Sequence, residues 1–233
     1  MPAEGISFAD VRVFAGENLL LEVAQLQLTE QRISVIGPNG GGKSTLLQLV
    51  NGLIEPTEGY VSVGGLDTVD DGARVRKHAG YVFANPAAQL IMPTPIEDVG
   101  LSLRSQVRSA GERRQAALTC LAEMGVADLA ERSSHEISAG QQQLVALATV
   151  LAIKPRILLL DEPTTLLDRI NSRRFNSIVD QLCSDRAIQV VTATHDLDLA
   201  ASAQRCLLID DGQIAADGPP AEVIAEYERR SDP

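Results

Sequence analysis

A short glycine-rich segment constrains this chain more than any other feature. It fits the pattern G-x-x-x-x-G-K-[ST] and consists of Gly37, Pro38, Asn39, Gly40, Gly41, Gly42, Lys43, Ser44 and Thr45. An apolar run at residues 33–36 predicts a strand before it, and apolar residues at helical spacing follow it. In this context the loop's N–H groups close around phosphates, because glycine has no Cβ and a helix N-terminus favours anions. The segment therefore predicts a nucleotide site in which Lys43 neutralises the β- and γ-phosphates and Ser44 ligates Mg²⁺.

Two carboxylates follow a second apolar run. Residues 157–160 are isoleucine or leucine, and Asp161 and Glu162 come directly after them. A buried strand that ends in aspartate places that side chain at the carboxyl edge of a sheet, next to the phosphate loop. We therefore expect Asp161 to be the outer partner of Mg²⁺ and Glu162 to polarise an attacking water. Taken alone, the same pair is also compatible with two solvated carboxylates at a strand end.

Between these motifs lies the sequence Ser138-Ala139-Gly140-Gln141. Ser138 is a favourable N-cap for the helix that the periodicity of residues 140–153 predicts. Small side chains at the start of that helix leave backbone N–H groups open to an anion. On its own this short sequence is equally typical of an ordinary capped helix.

The order of the elements predicts an α/β fold. Strand-like runs alternate with helical stretches, which favours βαβ units and a mixed, mainly parallel core sheet, while the early strands indicate an antiparallel β subdomain. From about residue 95 to residue 154 the pattern is helical. We expect one P-loop NTPase domain over residues 1–233. Its nucleotide-binding core covers about 1–94 and 155–233, and an inserted helical lobe covers about 95–154.

Composition limits the partners and the compartment. The net charge of -11 argues against nucleic acid as a partner, because phosphate neutralisation needs clusters of lysine and arginine. The sequence has no apolar stretch near the roughly 18–20 residues that span a bilayer. Residues 1–5 lack the basic and apolar regions of a secretory signal, so we expect none. The widely spaced Cys120, Cys183 and Cys206 indicate free thiols in a reducing cytoplasm.

The order of the motifs resembles that of the ATP-binding cassette (ABC) family of ATPases over essentially the whole chain. The segment beginning at Ser138 is similar to the family's LSGGQ signature, with Ala139 in place of the first glycine. Asp168 matches the aspartate of the D-loop, and His195 matches the switch histidine. Five ordered matches in one chain leave little room for coincidence.

The resemblance implies a mechanism that needs two subunits. In the family, each ATP lies between the phosphate loop of one subunit and the signature of another. Carried over, Ser138 and Gly140 contact the partner's γ-phosphate, while Glu162 is the general base and His195 holds the γ-phosphate and the attacking water. The resemblance therefore implies ATP and Mg²⁺ as cofactors, Lys43 as a catalytic residue, and a second ATPase subunit, identical or different.

Two positions depart from the family pattern. Where the family has a glutamine after the strand that precedes the helical lobe, this chain has Ala84, and we expect the nearby Gln89 to serve the interface with a membrane partner instead. The aromatic residue that stacks on adenine is also displaced, because Ala15 occupies its position and Phe14 comes one residue earlier. Because one step along a strand reverses the face, we expect Phe14 to be a core residue.

A finer resemblance points to energy-coupling-factor importers. Residues 85–94 look like a segment of those importers, and residues 143–148 and 161–168 are similar to the biotin-importing branch. This implies a membrane coupling protein, a membrane substrate-binding protein and a place on the cytoplasmic face of the membrane. Cobalt, nickel or another vitamin remain alternative cargoes. An ATPase of another ABC transporter and a nucleotide-gated scaffold with weak hydrolysis remain alternative functions.

Overall fold

The computed structural model of the chain describes residues 5–231. Residues 1–4 and 232–233 lie outside the described residues. Both segments belong to the expected domain, and residues 1–4 are also part of the segment assessed for a secretory signal. Within residues 5–231 no helix is long and apolar enough to cross a membrane. Cys120, Cys183 and Cys206 are all free thiols, as the sequence predicts.

Strands and helices alternate along most of the chain. The strands are β1 (Ile6–Ala15), β2 (Asn18–Leu28), β3 (Arg32–Ile36), β4 (Glu58–Val63), β5 (Leu66–Asp67), β6 (Ala79–Val82), β7 (Ile157–Asp161), β8 (Gln189–Ala193), β9 (Arg205–Asp210) and β10 (Gln213–Gly218). The helices are α1 (Lys43–Asn51), α2 (Gly72–His78), α3 (Pro86–Gln89), α4 (Pro95–Ser102), α5 (Ala110–Glu123), α6 (Ala139–Leu151), α7 (Arg169–Arg186), α8 (Leu197–Ala201) and α9 (Pro220–Ser231).

In the described part of the chain the strands form one sheet, in the order β5-β4-β1-β2-β10-β9-β3-β8-β7-β6. The strands from β9 to β6 in that order run parallel to one another. At the other end β1, β2, β4 and β5 pair in antiparallel fashion. The sheet therefore confirms the expected mixture of a parallel core with an antiparallel region. The two-residue strand β5 is an addition that the sequence pattern did not reveal.

The central parallel strands are buried on both faces. Every residue of β7 is buried, and its side chains alternate between two hydrophobic cores. Leu158 and Leu160 pack in one core with α5 and α6, whereas Ile157 and Leu159 pack in the other with α1. Burial on both faces is the reason that this strand has a continuous apolar sequence rather than an alternating one. It also fixes the carboxyl end of β7, where Asp161 begins the site.

The segment between β6 and β7 has no strand among its residues, as the sequence predicts. It contains α3, α4, α5, α6 and a short 3₁₀ turn, Ala127–Leu129. The helices expected over residues 111–124 and 140–153 correspond to α5 and α6. A capping box formed by Thr94 and Glu97 begins α4.

Candidate functional site

The phosphate-loop segment connects β3 to α1. Gly37 has φ of 142°, and a Cβ there would lie 1.9 Å from the carbonyl oxygen of Ile209 in β9, so only glycine fits this close approach. The ammonium group of Lys43, 6% exposed, donates to the carbonyl oxygens of Gly37 at 2.8 Å and Pro38 at 3.0 Å. No acidic residue lies in the first turn of α1. The loop thus holds a buried cation at a helix N-terminus, and this combination fits a phosphate group.

Asp161 lies directly beside the phosphate loop. The hydroxyl of Ser44 donates to one oxygen of its carboxylate, Oδ1, at 2.9 Å, and the hydroxyl of Tyr81 donates to the other, Oδ2, at 2.8 Å. Burial, followed by the charge and hydrogen bond of Asp161, raises the pKa of Tyr81 far above its usual range, so this hydroxyl remains a donor. A serine hydroxyl and a carboxylate are hard oxygen donors, and this pair fits Mg²⁺.

Glu162 meets both Lys43 and His195. Its Oε2 lies 2.6 Å from Nδ1 of His195, and its Oε1 lies 3.9 Å from Nζ of Lys43. The hydroxyl of Thr165 also donates to Oε2, at 3.2 Å. The backbone of Glu162 has φ of 47°, a left-handed conformation that is uncommon outside glycine, and its N–H donates to the carbonyl of Ala193 in β8. This backbone strain at the strand end is typical of functional sites.

The signature residues occupy the start of α6. Ser138 is the N-cap, and it forms a reciprocal capping box with Gln141, in which Gln141 N–H donates to Ser138 Oγ at 3.3 Å and Ser138 N–H donates to Gln141 Oε1 at 2.9 Å. The N-cap role predicted for Ser138 is confirmed. Ala139 is half-buried and Gly140 is buried against α7, where a Cβ at position 140 would lie 3.0 Å from the side chain of Asn171.

Asp168 caps the helix that packs against the signature. Its carboxylate accepts hydrogen bonds from Asn171, with the backbone N–H at 2.8 Å and the side-chain amide at 2.9 Å. Asp168 itself is exposed. Apart from Gln89, the predicted site residues therefore fall into two groups. One surrounds the phosphate loop, and the other, with Asp168 and Gly140 on either side of Asn171, lies at the adjoining starts of α6 and α7.

Gln89 is held within the chain rather than extended into solvent. Its side-chain oxygen accepts a hydrogen bond from the N–H of Phe83 at 3.1 Å, and its amide nitrogen donates to the carbonyl of Ala146 at 3.4 Å. Gln89 thereby connects the end of β6 to α6. It also lines a groove of about 290 Å³, together with Leu53, Arg76, Ile91 and Leu101.

Phe14 corrects an expectation from the sequence. Its side chain is 38% exposed, so the prediction that it is a core residue is wrong. The pairing of β1 with β2 shifts between Val13, which lies opposite Leu21, and Phe14, which lies opposite Leu19. Leu20 is thus left over in a β-bulge of β2. In β1 itself Phe14 follows the buried Val13 onto the exposed face, and Ala15 is exposed as well, so the expectation failed because it assigned the faces from Ala15. Sequence patterning carried no signal for this bulge, nor for the contact of Tyr81 with Asp161.

Comparison with known proteins identifies the family. The model of the family described as "ABC transporter" matches residues 22–165. The chain belongs to the ABC transporter family. It is 40% identical over 222 residues to the biotin transport ATP-binding protein BioM of Rhizobium etli. This alignment covers 95% of this chain and 97% of that protein. It is 38% identical over 193 residues to the energy-coupling factor transporter ATP-binding protein EcfA1 of Levilactobacillus brevis, with 82% of this chain and 69% of that protein covered.

A solved structure matches this ABC protein closely. The dimeric post-hydrolysis state of an ATP-binding cassette, bound to ADP and Pi, superposes with a TM-score of 0.84 at 30% identity over 92% of this chain and 98% of that chain. The α/β P-loop fold of the ABC ATPases is therefore confirmed. The chain is an ATP-binding ATPase subunit of this family.

Proposed function

We propose that this ABC ATPase powers the import of biotin as the nucleotide-hydrolysing subunit of an energy-coupling-factor importer. The assignment of ATP hydrolysis rests on one observation. Glu162 contacts both Lys43 and His195, and this cluster lies beside the hydrogen-bonded pair of Ser44 and Asp161. The choice of biotin rests on the similarity to BioM, which extends over 95% of this chain.

The chemistry divides among the residues of the phosphate-loop group. Lys43 and the N–H groups of the loop bind the β- and γ-phosphates of ATP, while Ser44 and Asp161 would hold Mg²⁺, which neutralises phosphate charge when bound. Glu162 accepts the proton of the attacking water, and His195 holds the γ-phosphate and that water in place. Catalysis on this scheme consists mainly of positioning and of stabilising charge.

The second group serves the ATP of another subunit. Ser138 and Asp168 are exposed at the starts of α6 and α7, so their capping side chains lie on an open surface. Beside Asp168, the apolar Leu166 is 54% exposed and Ile170 is 80% exposed, which suits burial against a partner. We infer that Ser138, Ala139, Gly140, Gln141 and Asp168 face the γ-phosphate side of the partner's nucleotide. The partner is a second ATPase subunit, either a copy of this chain or a related one.

The groove beside Gln89 suits a membrane coupling protein. Among its lining residues, Ile91 is 72% exposed, Leu53 44% and Leu101 39%, so a largely apolar surface is open to solvent. A short amphipathic helix can bury its apolar face in such a groove. Gln89 ties the floor of the groove to β6 and to α6, which connects the docking surface to the strand next to Asp161. The subunit would then lie on the cytoplasmic face of the membrane, with a substrate-binding membrane protein completing the complex.

Phe14 is the residue we assign to adenine. It stands exposed next to the bulged Leu20, and the carbonyl of Leu20 lies 2.9 Å from where a Cβ on Gly42 would be. An aromatic ring near the start of α1 therefore faces outward, close to the place where the phosphates would bind. Such a ring offers a stacking surface for the base.

Uptake measurements test the cargo. Cells with and without the gene are given labelled biotin, and cobalt and nickel uptake are measured alongside. We expect loss of biotin uptake alone, restored by the wild-type gene but not by Lys43→Ala. Normal biotin uptake with a metal defect would assign the protein to a cation importer, and no defect in any of the three would overturn the proposed cargo class.

A further inference from the structure

Tyr81 is a buried tyrosine whose hydroxyl reaches the candidate metal site. It lies in β6, is 6% exposed, and donates to Oδ2 of Asp161 at 2.8 Å. The other oxygen of the same carboxylate accepts a hydrogen bond from Ser44 of α1, the helix that begins at the phosphate loop. The carboxylate of Asp161 therefore connects three elements, namely α1, β6 and β7.

The two oxygens of Asp161 have separate tasks. Oδ1 accepts a hydrogen bond from the hydroxyl of Ser44, whereas Oδ2 accepts one from the hydroxyl of Tyr81. The terminal torsion of an aspartate is broad and roughly two-fold, so a carboxylate without such bonds samples many orientations. With Tyr81 bonded to Oδ2, the plane of the carboxylate is fixed and Oδ1 stays directed at Ser44.

The residues around position 84 do not provide this support. Ala84 has no polar side chain, and both amide atoms of Gln89 are bonded to Phe83 and Ala146. Tyr81 lies three residues before Ala84 on the same strand and its extension. The hydroxyl of Tyr81 thus contacts the carboxylate of Asp161 in a chain that has alanine, and no side-chain amide, at position 84.

We propose that Tyr81 is a positioning residue of the magnesium site, whose hydroxyl orients Asp161 so that its Oδ1 and the hydroxyl of Ser44 together can hold the ion. This rests on the proposed function only in taking Ser44 and Asp161 as the metal-binding pair. Partners that orient a ligand are worth roughly 10- to 100-fold in metal affinity when they are removed. Tyr81→Phe removes one oxygen atom and keeps the ring, which packs against Phe83 at a centroid distance of 4.7 Å.

The test measures binding of Mn²⁺, which shares the oxygen preference of Mg²⁺, by electron paramagnetic resonance in the presence of ADP. The full-length protein is used, and no hydrolysis is required. We expect Tyr81→Phe to weaken Mn²⁺ binding about tenfold, at the low end of the range for such partners. Its affinity for ADP without metal should stay within about twofold of wild type. Tyr60→Phe, on β4 and 45% exposed, is the matched control and should match wild type in both measurements.

Two results would overturn the proposal. Mn²⁺ affinity of Tyr81→Phe equal to that of wild type would show that the hydroxyl does not position the carboxylate. An equal loss of ADP affinity without metal would show a general effect on the fold instead. Asp161→Asn distinguishes failure of the Tyr81 proposal from failure of the proposed function. If Asp161→Asn binds Mn²⁺ as wild type does, Ser44 and Asp161 are wrongly assigned as the metal-binding pair, irrespective of Tyr81. If the uptake experiment shows that biotin is not the cargo, the Mn²⁺ comparison is unaffected.

Discussion

Glu162 and His195 lie in direct contact, with 2.6 Å between the carboxylate Oε2 and the ring Nδ1. The other carboxylate oxygen lies 3.9 Å from the ammonium group of Lys43, so Glu162 stands between the lysine of the phosphate-loop segment and the histidine. A carboxylate in this place can take a proton from a water attacking the γ-phosphate without leaving its own partners.

Replacement of Glu162 by glutamine tests the role of general base. The amide keeps the size of the side chain but cannot accept the proton, and such a loss costs roughly 10²- to 10⁴-fold in rate. We expect Glu162→Gln to bind ATP, to hydrolyse it slowly, and to accumulate as an ATP-bound dimer, measured by phosphate release and by light scattering after size exclusion. Near-normal turnover would remove Glu162 from this role.

The parts of the site that follow from local sequence were predictable. The phosphate loop depends on a contiguous pattern, and the place of Asp161 follows from a continuous apolar run that must be a strand buried on both faces. The N-cap role of Ser138 likewise depends only on its neighbours. These features need no knowledge of how distant strands pair.

Features that depend on pairing were not predictable in this way. The bulge at Leu20 exists because β2 has one residue more than β1 between two paired positions, and no pattern within β2 alone shows this. The face of Phe14 was assigned wrongly from Ala15, although the alternation with the buried Val13 puts Phe14 on the exposed face. Tyr81 and Asp161 lie 80 residues apart and meet only because β6 and β7 are adjacent. The residue pattern within each strand does not indicate which strand lies next to it.

Phe14→Ala tests the adenine platform. Stacking of a base on an aromatic ring is worth about 1–3 kcal/mol, so we expect ATP affinity to fall about 5- to 150-fold. Affinity for inorganic tripolyphosphate, which has no base, should not change, and Tyr60→Ala on an exposed strand position should affect neither ligand. Both affinities can be measured by calorimetry. An equal loss for tripolyphosphate and ATP would place the effect at the phosphate loop rather than at a stacking surface.

Asn171→Ala tests whether the D-loop and the signature act as one unit. Its side chain bonds Asp168 at 2.9 Å and packs on Gly140, so truncation frees both from their common support. We expect ATP-driven dimerisation of the Glu162→Gln protein to require about tenfold more ATP, as the loss of about 1.4 kcal/mol would produce. Binding of ADP to the monomer uses the chain's own phosphate loop and should be unchanged.

Asn176→Ala is the matched control for that experiment. Asn176 is on the same helix and similarly half-buried, but it lies more than one turn farther from Asp168. It should dimerise as the parent protein does. If both asparagine variants weaken dimerisation equally, the effect belongs to the helix as a whole and not to the contact between Asp168 and Gly140.

Ala84→Gln tests the departure beyond β6. Val82, the last residue of β6, lies opposite Leu160, so Ala84 follows β6 at the edge of the sheet where Glu162 follows β7. A glutamine there can bring an amide toward the attacking water, as glutamines do in related phosphoryl-transfer sites. We expect normal folding and a several-fold higher ATPase rate in the assembled complex. Ala87→Gln, on the exposed surface of α3, serves as the control for adding the same side chain nearby. Rates and coupling identical to wild type would mean that residue 84 has no part in hydrolysis, which would leave the orientation of the site to Tyr81, Glu162 and His195.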